Sequence, residues 1–399
     1  MRKFYKIMAV TLLLALTPIP GSLLFAGDAP ETAAGFGGEA LEISSPGEIP
    51  ARASLLMEAN GGKILYESNS HEKMPPASIT KIMTMLLAME ALDAGKISLD
   101  DMATCSEHAN SIGGKQIWLE VGEQMSVRDL LKAVSIASAN DASVMLGEYI
   151  AGSEAAFVDM MNKRAAELGM KDSAFTNASG LDDDGQFSSA CDIAIMSREL
   201  LRHPLIKDYS TIWMDTLRGG ETSLVNTNRL VRFYEGATGL KTGTTANAGK
   251  CLSASAERGG LELIAVVLGS STSDERFNSA KRLLDYGFAN WELSEFPPLG
   301  EELSPVPVLK GVEPEVSVEL SESAPIVIQK GRKDDIERKV ELAESLEAPV
   351  EKGQVIGKVS LCLDGAEVAS YPLKAASAIA KMNFFKAFAK LVATALDFS

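Results

Sequence analysis

The run SITKIMTMLLAMEAL, residues 78–92, constrains this chain more than any other stretch. It is rich in helix formers, and no residue between Lys81 and Glu90 is charged. A helix so apolar is buried on most faces, so the fold has to be built around it. Pro75 and Pro76 precede it, which puts Ser78 in the first turn and Lys81 on the same side one turn away. An amine beside a hydroxyl at a helix N-terminus can activate that serine as a nucleophile. Ser70 and Lys73 repeat the Ser-x-x-Lys spacing, but in the polar run ESNSHEK, where no apolar periodicity would hold a helix.

Two further short motifs follow in fixed order. Ser138-Ala139-Asn140 separates two helical runs within VRDLLKAVSIASANDASVMLGEYIAG and so falls on an interhelical turn. Lys241-Thr242-Gly243 lies in GLKTGTT, which with GKCLSASAE and LELIAVVLG reads as three successive strands. Upstream, ASLLMEA and KILYESN flank Asn60-Gly61-Gly62, a hairpin signal. EAAFVDMMNKRAAELGM is an amphipathic helix stopped by Gly169, and SDERFNSAKRLLDYGFANW is another helix. Strands, then helices, then strands and a helix imply an α+β domain over 51–295. One antiparallel sheet is built from both ends, with a helical block between. That arrangement sets the start of the buried helix and the edge of a strand on opposite walls of one cleft.

The remaining segments differ in texture. Residues 1–26 read as a signal peptide: Arg2, Lys3 and Lys6 precede the apolar IMAVTLLLAL, which Pro18 and Pro20 end; an uncleaved anchor would carry the same pattern. A Gly/Ala/Glu/Pro-rich leader spans 27–50. Residues 296–374 alternate apolar and polar between charged turns, as in a small all-β domain. In 375–399, Met382, Phe385, Phe388, Val392 and Leu396 share one helical face, and Asn383, Lys386, Lys390 and Thr394 another. That is the pattern of an interfacial membrane anchor, and it would also suit a helix docked on the β domain or on a partner. The net charge of −16 excludes a nucleic-acid partner, and His71, His108 and His203 form no metal-ligand pattern with the cysteines. No metal or cofactor is expected. Cys105, Cys191, Cys251 and Cys362 are far apart in sequence and read as free thiols rather than a disulfide framework.

The order SITK, SAN, KTG resembles the low-molecular-mass penicillin-binding proteins that act as D-alanyl-D-alanine carboxypeptidases. PPASITKIMT, SANDAS, FTNASGL, NTNRL, GLKTGTTANAGKCLSASA, SDERFNSAKRLLDYGF and APVEKGQVIG extend the likeness over roughly residues 45–399. The resemblance implies a β-lactamase/transpeptidase-like domain, then a small all-β domain and a C-terminal amphipathic helix. It implies an exported enzyme at the outer face of the cytoplasmic membrane or cell wall, acting on peptidoglycan stem peptides that end in D-Ala-D-Ala and trapped by β-lactam antibiotics. Its catalytic residues would be Ser78 as nucleophile, Lys81 as base and Ser138 as proton relay. Substrate would be held by Asn140, Lys241, Thr242, Gly243 and Thr244, with Arg276 near the substrate carboxylate. The N–H groups of Ser78 and Thr244 would form the oxyanion hole. Thr244, Thr238 and Gln186 depart from the usual family residues. A serine β-lactamase would need a Glu-x-x-Leu-Asn segment after Asn140, and none precedes Lys241. The same motifs would also serve an endopeptidase that cuts cross-links, or a slow penicillin-binding sensor.

Overall fold

Asn60-Gly61-Gly62 does reverse the chain. In the computed structural model, which describes residues 45–295, 303–320, 324–385 and 388, β1 (Ala53–Glu58) and β2 (Ile64–Ser68) pair antiparallel around this turn. The Glu58 carboxylate accepts from the N–H groups of Asn60 (2.5 Å) and Gly61 (2.7 Å), which fixes the turn. The expected signal segment, most of the leader and most of the terminal helix lie outside the described residues.

Three later strands complete the sheet: β3 (Ala237–Thr245), β4 (Gly249–Arg258) and β5 (Leu261–Ser270). The order is β2-β1-β5-β4-β3, antiparallel throughout, so both ends of the domain build one sheet as the sequence implies. LELIAVVLG is apolar without alternation because both its faces are covered. Ile264, Val266 and Leu268 join the core around α1 (Lys81–Asp93), while Leu263, Ala265 and Val267 pack with Phe277, Leu283 and Leu284. The last three belong to α5 (Ser273–Asn290), whose start carries a capping box between Thr272 and Glu275.

The helical block includes α2 (Asn140–Ala151), α3 (Glu154–Glu167) and α4 (Ala190–Leu201). It encloses α1, in which every residue from Lys81 to Met89 is buried. One expectation is modified. Ser78 lies in a separate 3₁₀ turn, Ala77–Thr80, and the α-helix starts at Lys81. Pro76, which accepts from Ile79 N–H (3.2 Å), and Ala77 at φ 49° shape that turn. All four cysteines are free.

Beyond α5 the described residues are mainly β. Trp291–Ser294 pairs with Ile326–Gln329, and Val327 packs into the cluster that holds Leu283. A four-stranded sheet follows, made from β6 (Val318–Leu320), β7 (Glu337–Leu342), β8 (Val355–Leu363) and β9 (Ala366–Ala375) in the order β6-β9-β8-β7. Backbone pairing continues past β9, through Ile379 with Val350 and Met382 N–H with Lys310 O. Among the described residues no helix is long and apolar enough to cross a membrane.

Leu283 is fully buried between α5 and the sheet. Leu283→Ala is expected to cost about 2–5 kcal/mol through lost transfer energy and a residual cavity, read as a lowered midpoint in urea unfolding.

Candidate active site

Three walls meet at Lys81. The 3₁₀ turn supplies Ser78, half-buried, with its Oγ 3.1 Å from Lys81 Nζ. The turn before α2 supplies Asn140, whose Oδ1 accepts from Lys81 Nζ at 2.6 Å. The third wall is the FTNASGL segment, where Ser179 O accepts from the same amine. Two of the three contacts are acceptors only, so a neutral Lys81 gives them both of its N–H bonds and turns its lone pair to the Ser78 hydroxyl.

Burial makes that neutral state accessible. Lys81 is fully buried, and desolvation, with the positive charge of Lys115 second, pulls its pKa down to about 7. Asp141 opposes this, but its carboxylate is already engaged by the backbone N–H groups of Ile117, Leu119 and Ala142.

Ser138 sits in the left-handed region, φ 66°, between the helical turn Ala133–Ala137 and α2. It is buried two residues from Asn140, and Lys81 makes no hydrogen bond to it. Across the cleft, β3 is an edge strand of the sheet, and Lys241 on it is also fully buried. Desolvation, then the charges of Lys81, Lys115 and Arg276, push the Lys241 amine well below its ordinary value. Among the described residues its amine bonds only to Thr242 O, at 3.2 Å. Thr242 Oγ1 donates to Thr227 Oγ1 at 2.7 Å, and Asn228 Nδ2 donates to Gly239 O at 2.9 Å, so the NTNRL segment braces the strand. Thr244 is exposed.

Gly243 has a reason beyond leaving room for substrate: a Cβ there would lie 2.9 Å from Pro76 O and 3.1 Å from Ala77 Cβ. Its missing side chain lets the strand edge close on the turn that carries Ser78. Gly180, φ 83°, does the same from the third wall, since its Cβ would fall 1.9 Å from Ala77 O.

Arg276 lies behind the strand edge. One Nη reaches Gly243 O (3.3 Å), Thr244 Oγ1 (3.4 Å) and Cys251 O (3.3 Å), while Nε is buried without a partner among the described residues. Nor does it form an ion pair among them, and burial pulls its pKa down to about 10. Lys81, Lys241, Arg276 and Lys115 therefore gather positive charge in a chain whose net charge is −16. Among the described residues no group of His, Cys, Asp or Glu could hold a metal.

The structure joins Ser78, Lys81 and Asn140 by hydrogen bonds, with Ser138 two residues from Asn140 and Lys241 on the strand edge; the sequence reading passed over Lys115, Asp141, Ser179 and Thr227. Gly113-Gly114 before Lys115 is a turn signal that could have drawn notice to that loop. Nothing local marks Ser179, which contributes only a carbonyl.

An amine with pKa about 7 beside the Ser78 hydroxyl predicts a pH profile. Lys81 is protonated below that value and neutral above it, so acylation by a penicillin probe should climb between about pH 6 and 8 and then level off. Lys81→Arg should lower the acylation rate by roughly 10²–10⁴-fold at every pH in a stopped-flow assay.

Residues 40–272 match the family described as D-alanyl-D-alanine carboxypeptidase, and 291–381 match the C-terminal domain of penicillin-binding protein 5. The chain is 44% identical over 338 residues to the D-alanyl-D-alanine carboxypeptidase DacF of Bacillus subtilis, covering 84% of this chain and 87% of that one. Penicillin-binding protein 5 of Haemophilus influenzae superposes with a TM-score of 0.76 at 36% identity, over 84% of this chain and 99% of that one. Penicillin-binding protein D2 of Listeria monocytogenes in its ampicillin-bound form does so with a TM-score of 0.55 at 35% identity, over 60% and 98%. With the serine–lysine pair, the second motif and the cationic strand edge around one cleft, this chain belongs to the serine peptidase family of D-alanyl-D-alanine carboxypeptidases.

Proposed function

We propose that Ser78 is the nucleophile with which this carboxypeptidase removes the last D-alanine from peptidoglycan stem peptides ending in D-Ala-D-Ala. The observation that carries the assignment is the amine of Lys81, with two acceptors to fill and a lone pair left for the Ser78 hydroxyl. Ser78 Oγ attacks the carbonyl carbon of the terminal peptide bond, and its proton passes to Lys81 Nζ. The N–H groups of Ser78 and Thr244 bind the oxyanion. The C–N bond then breaks, the departing D-alanine amine takes up a proton through Ser138, and water hydrolyses the acyl ester.

Lys241, Thr242 and Arg276 receive the terminal carboxylate. A buried amine without a counter-ion favours its neutral form, so the arriving anion both pairs with Lys241 and restores its proton. Asn140 has its Nδ2 on Gly113 O and its Oδ1 on Lys81, so it positions the base as well as lining the cleft. β-Lactams present the same acyl centre and carboxylate, and the ampicillin-bound likeness supports their capture at Ser78.

Ser78→Ala should leave the unfolding midpoint unchanged and abolish both D-alanine release from a D-Ala-D-Ala peptide and the penicilloyl adduct seen by mass spectrometry. Label retained on the variant would overturn the assignment. Release of D-alanine by the parent enzyme separates a carboxypeptidase from a sensor, and fast penicillin turnover would indicate a β-lactamase.

The chain is also proposed to act outside the cytoplasm, held to the outer face of the cytoplasmic membrane by its C-terminal segment. The charged-then-apolar N-terminus supports export. The exposure of Phe384, Phe385 and Phe388 supports an interfacial contact. Because pairing into the β domain runs to Met382, the clean truncation removes residues 383–399. It should abolish flotation with anionic phospholipid vesicles and leave hydrolysis of a soluble peptide intact; persistent flotation refutes the anchor.

A further inference from the structure

Lys115 has no role in the reaction as derived above, yet the fold fixes it at the cleft. Asn140 Nδ2 donates to Gly113 O (2.8 Å) and Asn140 N–H to Lys115 O (2.7 Å). Asp141 accepts from Ile117 N–H (3.1 Å) and Leu119 N–H (3.1 Å). The loop around Lys115 is thus clamped to the turn that carries Ser138 and Asn140.

The side chain of Lys115 is exposed and forms no ion pair or hydrogen bond among the described residues. Asp141, the carboxylate closest in the hydrogen-bond pattern, already serves backbone amides on the same loop. Lys115 nevertheless stands close enough for its charge to depress both Lys81 and Lys241, and although much of its side chain meets solvent, partial desolvation by the surrounding walls, and then the charge of Arg276, lower its own pKa. One carboxylate, that of the terminal D-alanine, balances the charge at Lys241 and Arg276 on the strand side. The cation on the opposite wall is left over.

We infer that Lys115 binds a second carboxylate of the substrate, on the residue immediately preceding D-Ala-D-Ala, so that the enzyme selects stem peptides whose third residue carries a free acid. The inference rests on the carboxypeptidase reading of the same cleft. An ammonium pairing with a carboxylate in a partly desolvated cleft is worth enough to discriminate acid from amide about tenfold.

The test uses the full-length enzyme and two pentapeptides ending in D-Ala-D-Ala, identical except that the third residue's side-chain carboxylate is free in one and amidated in the other. The parent enzyme should favour the free acid about tenfold in kcat/KM, mainly through KM. Lys115→Met should erase that preference by raising KM for the free acid, and Lys115→Arg should restore it. If Lys115 served only to tune Lys81, its loss would lower kcat equally on both peptides; if it held the terminal carboxylate, KM would rise equally on both. Either result overturns the inference, as does a parent enzyme indifferent to amidation. Failure of the carboxypeptidase reading would look different, with no D-alanine released from either peptide.

Discussion

A lysine amine with no water around it and two carbonyl-type acceptors in reach organises this structure. Keeping Lys81 dry requires that α1 be enclosed, and the uncharged stretch from Ile82 to Met89 makes that enclosure favourable. Filling its two N–H bonds requires Asn140 from one side of the helical block and Ser179 O from another, so three distant segments converge on one nitrogen. An unpaired ammonium at that depth would cost several kcal/mol, and the fold avoids the cost by favouring the neutral amine. The stability requirement and the chemical requirement then coincide, since the neutral amine is the base that the proposed mechanism asks of Lys81.

The same principle extends over the cleft. Lys241 and Arg276 are buried without carboxylate partners among the described residues, an arrangement a protein seldom keeps for stability alone. Their electrostatic cost would fall on the arrival of an anion, so in the proposed function substrate binding and relief of the cationic cluster are one event. A neutral dipeptide amide offers no such relief, so under the proposed function that uncompensated charge would select for a free C-terminus.

The legible parts of the sequence were those with a short-range physical signature. The hairpin at Asn60-Gly61-Gly62, the unalternating run LELIAVVLG and the apolar helix after Ser78 each specify their own environment, and the α+β order followed from them. The three motifs, taken in order, located the cleft. Backbone geometry was not legible. That Ser78 would occupy a 3₁₀ turn with Ala77 at φ 49° depends on contacts from Gly180 and Gly243, residues 102 and 165 positions beyond Ser78 in the chain. Lys115 was missed because a lone lysine in a loop has no periodicity, and its significance lies in the charges that surround it, which only the fold reveals.

The family departures at Gln186, Thr238 and Thr244 can now be judged by what each side chain touches. Gln186 is buried, its Oε1 accepting from Thr176 N–H (3.1 Å) and Asn177 N–H (3.3 Å) while its Nε2 donates to Leu181 O (3.1 Å). Asn177 in turn accepts from Gly180 N–H at 2.7 Å, so Gln186 supports the wall that presents Ser179 O to Lys81. An amide offers acceptor and donor at once without titrating, which frees that support from pH. Thr238 Oγ1 bonds Ser255 and Glu262 at the far end of β3, away from the Lys241 end of the strand edge. The Thr244 hydroxyl turns back to Gly243 O at 2.7 Å, on the same strand edge that carries Lys241. All three departures change how the walls are held, and none alters the contacts of Lys81 with Ser78, Asn140 and Ser179.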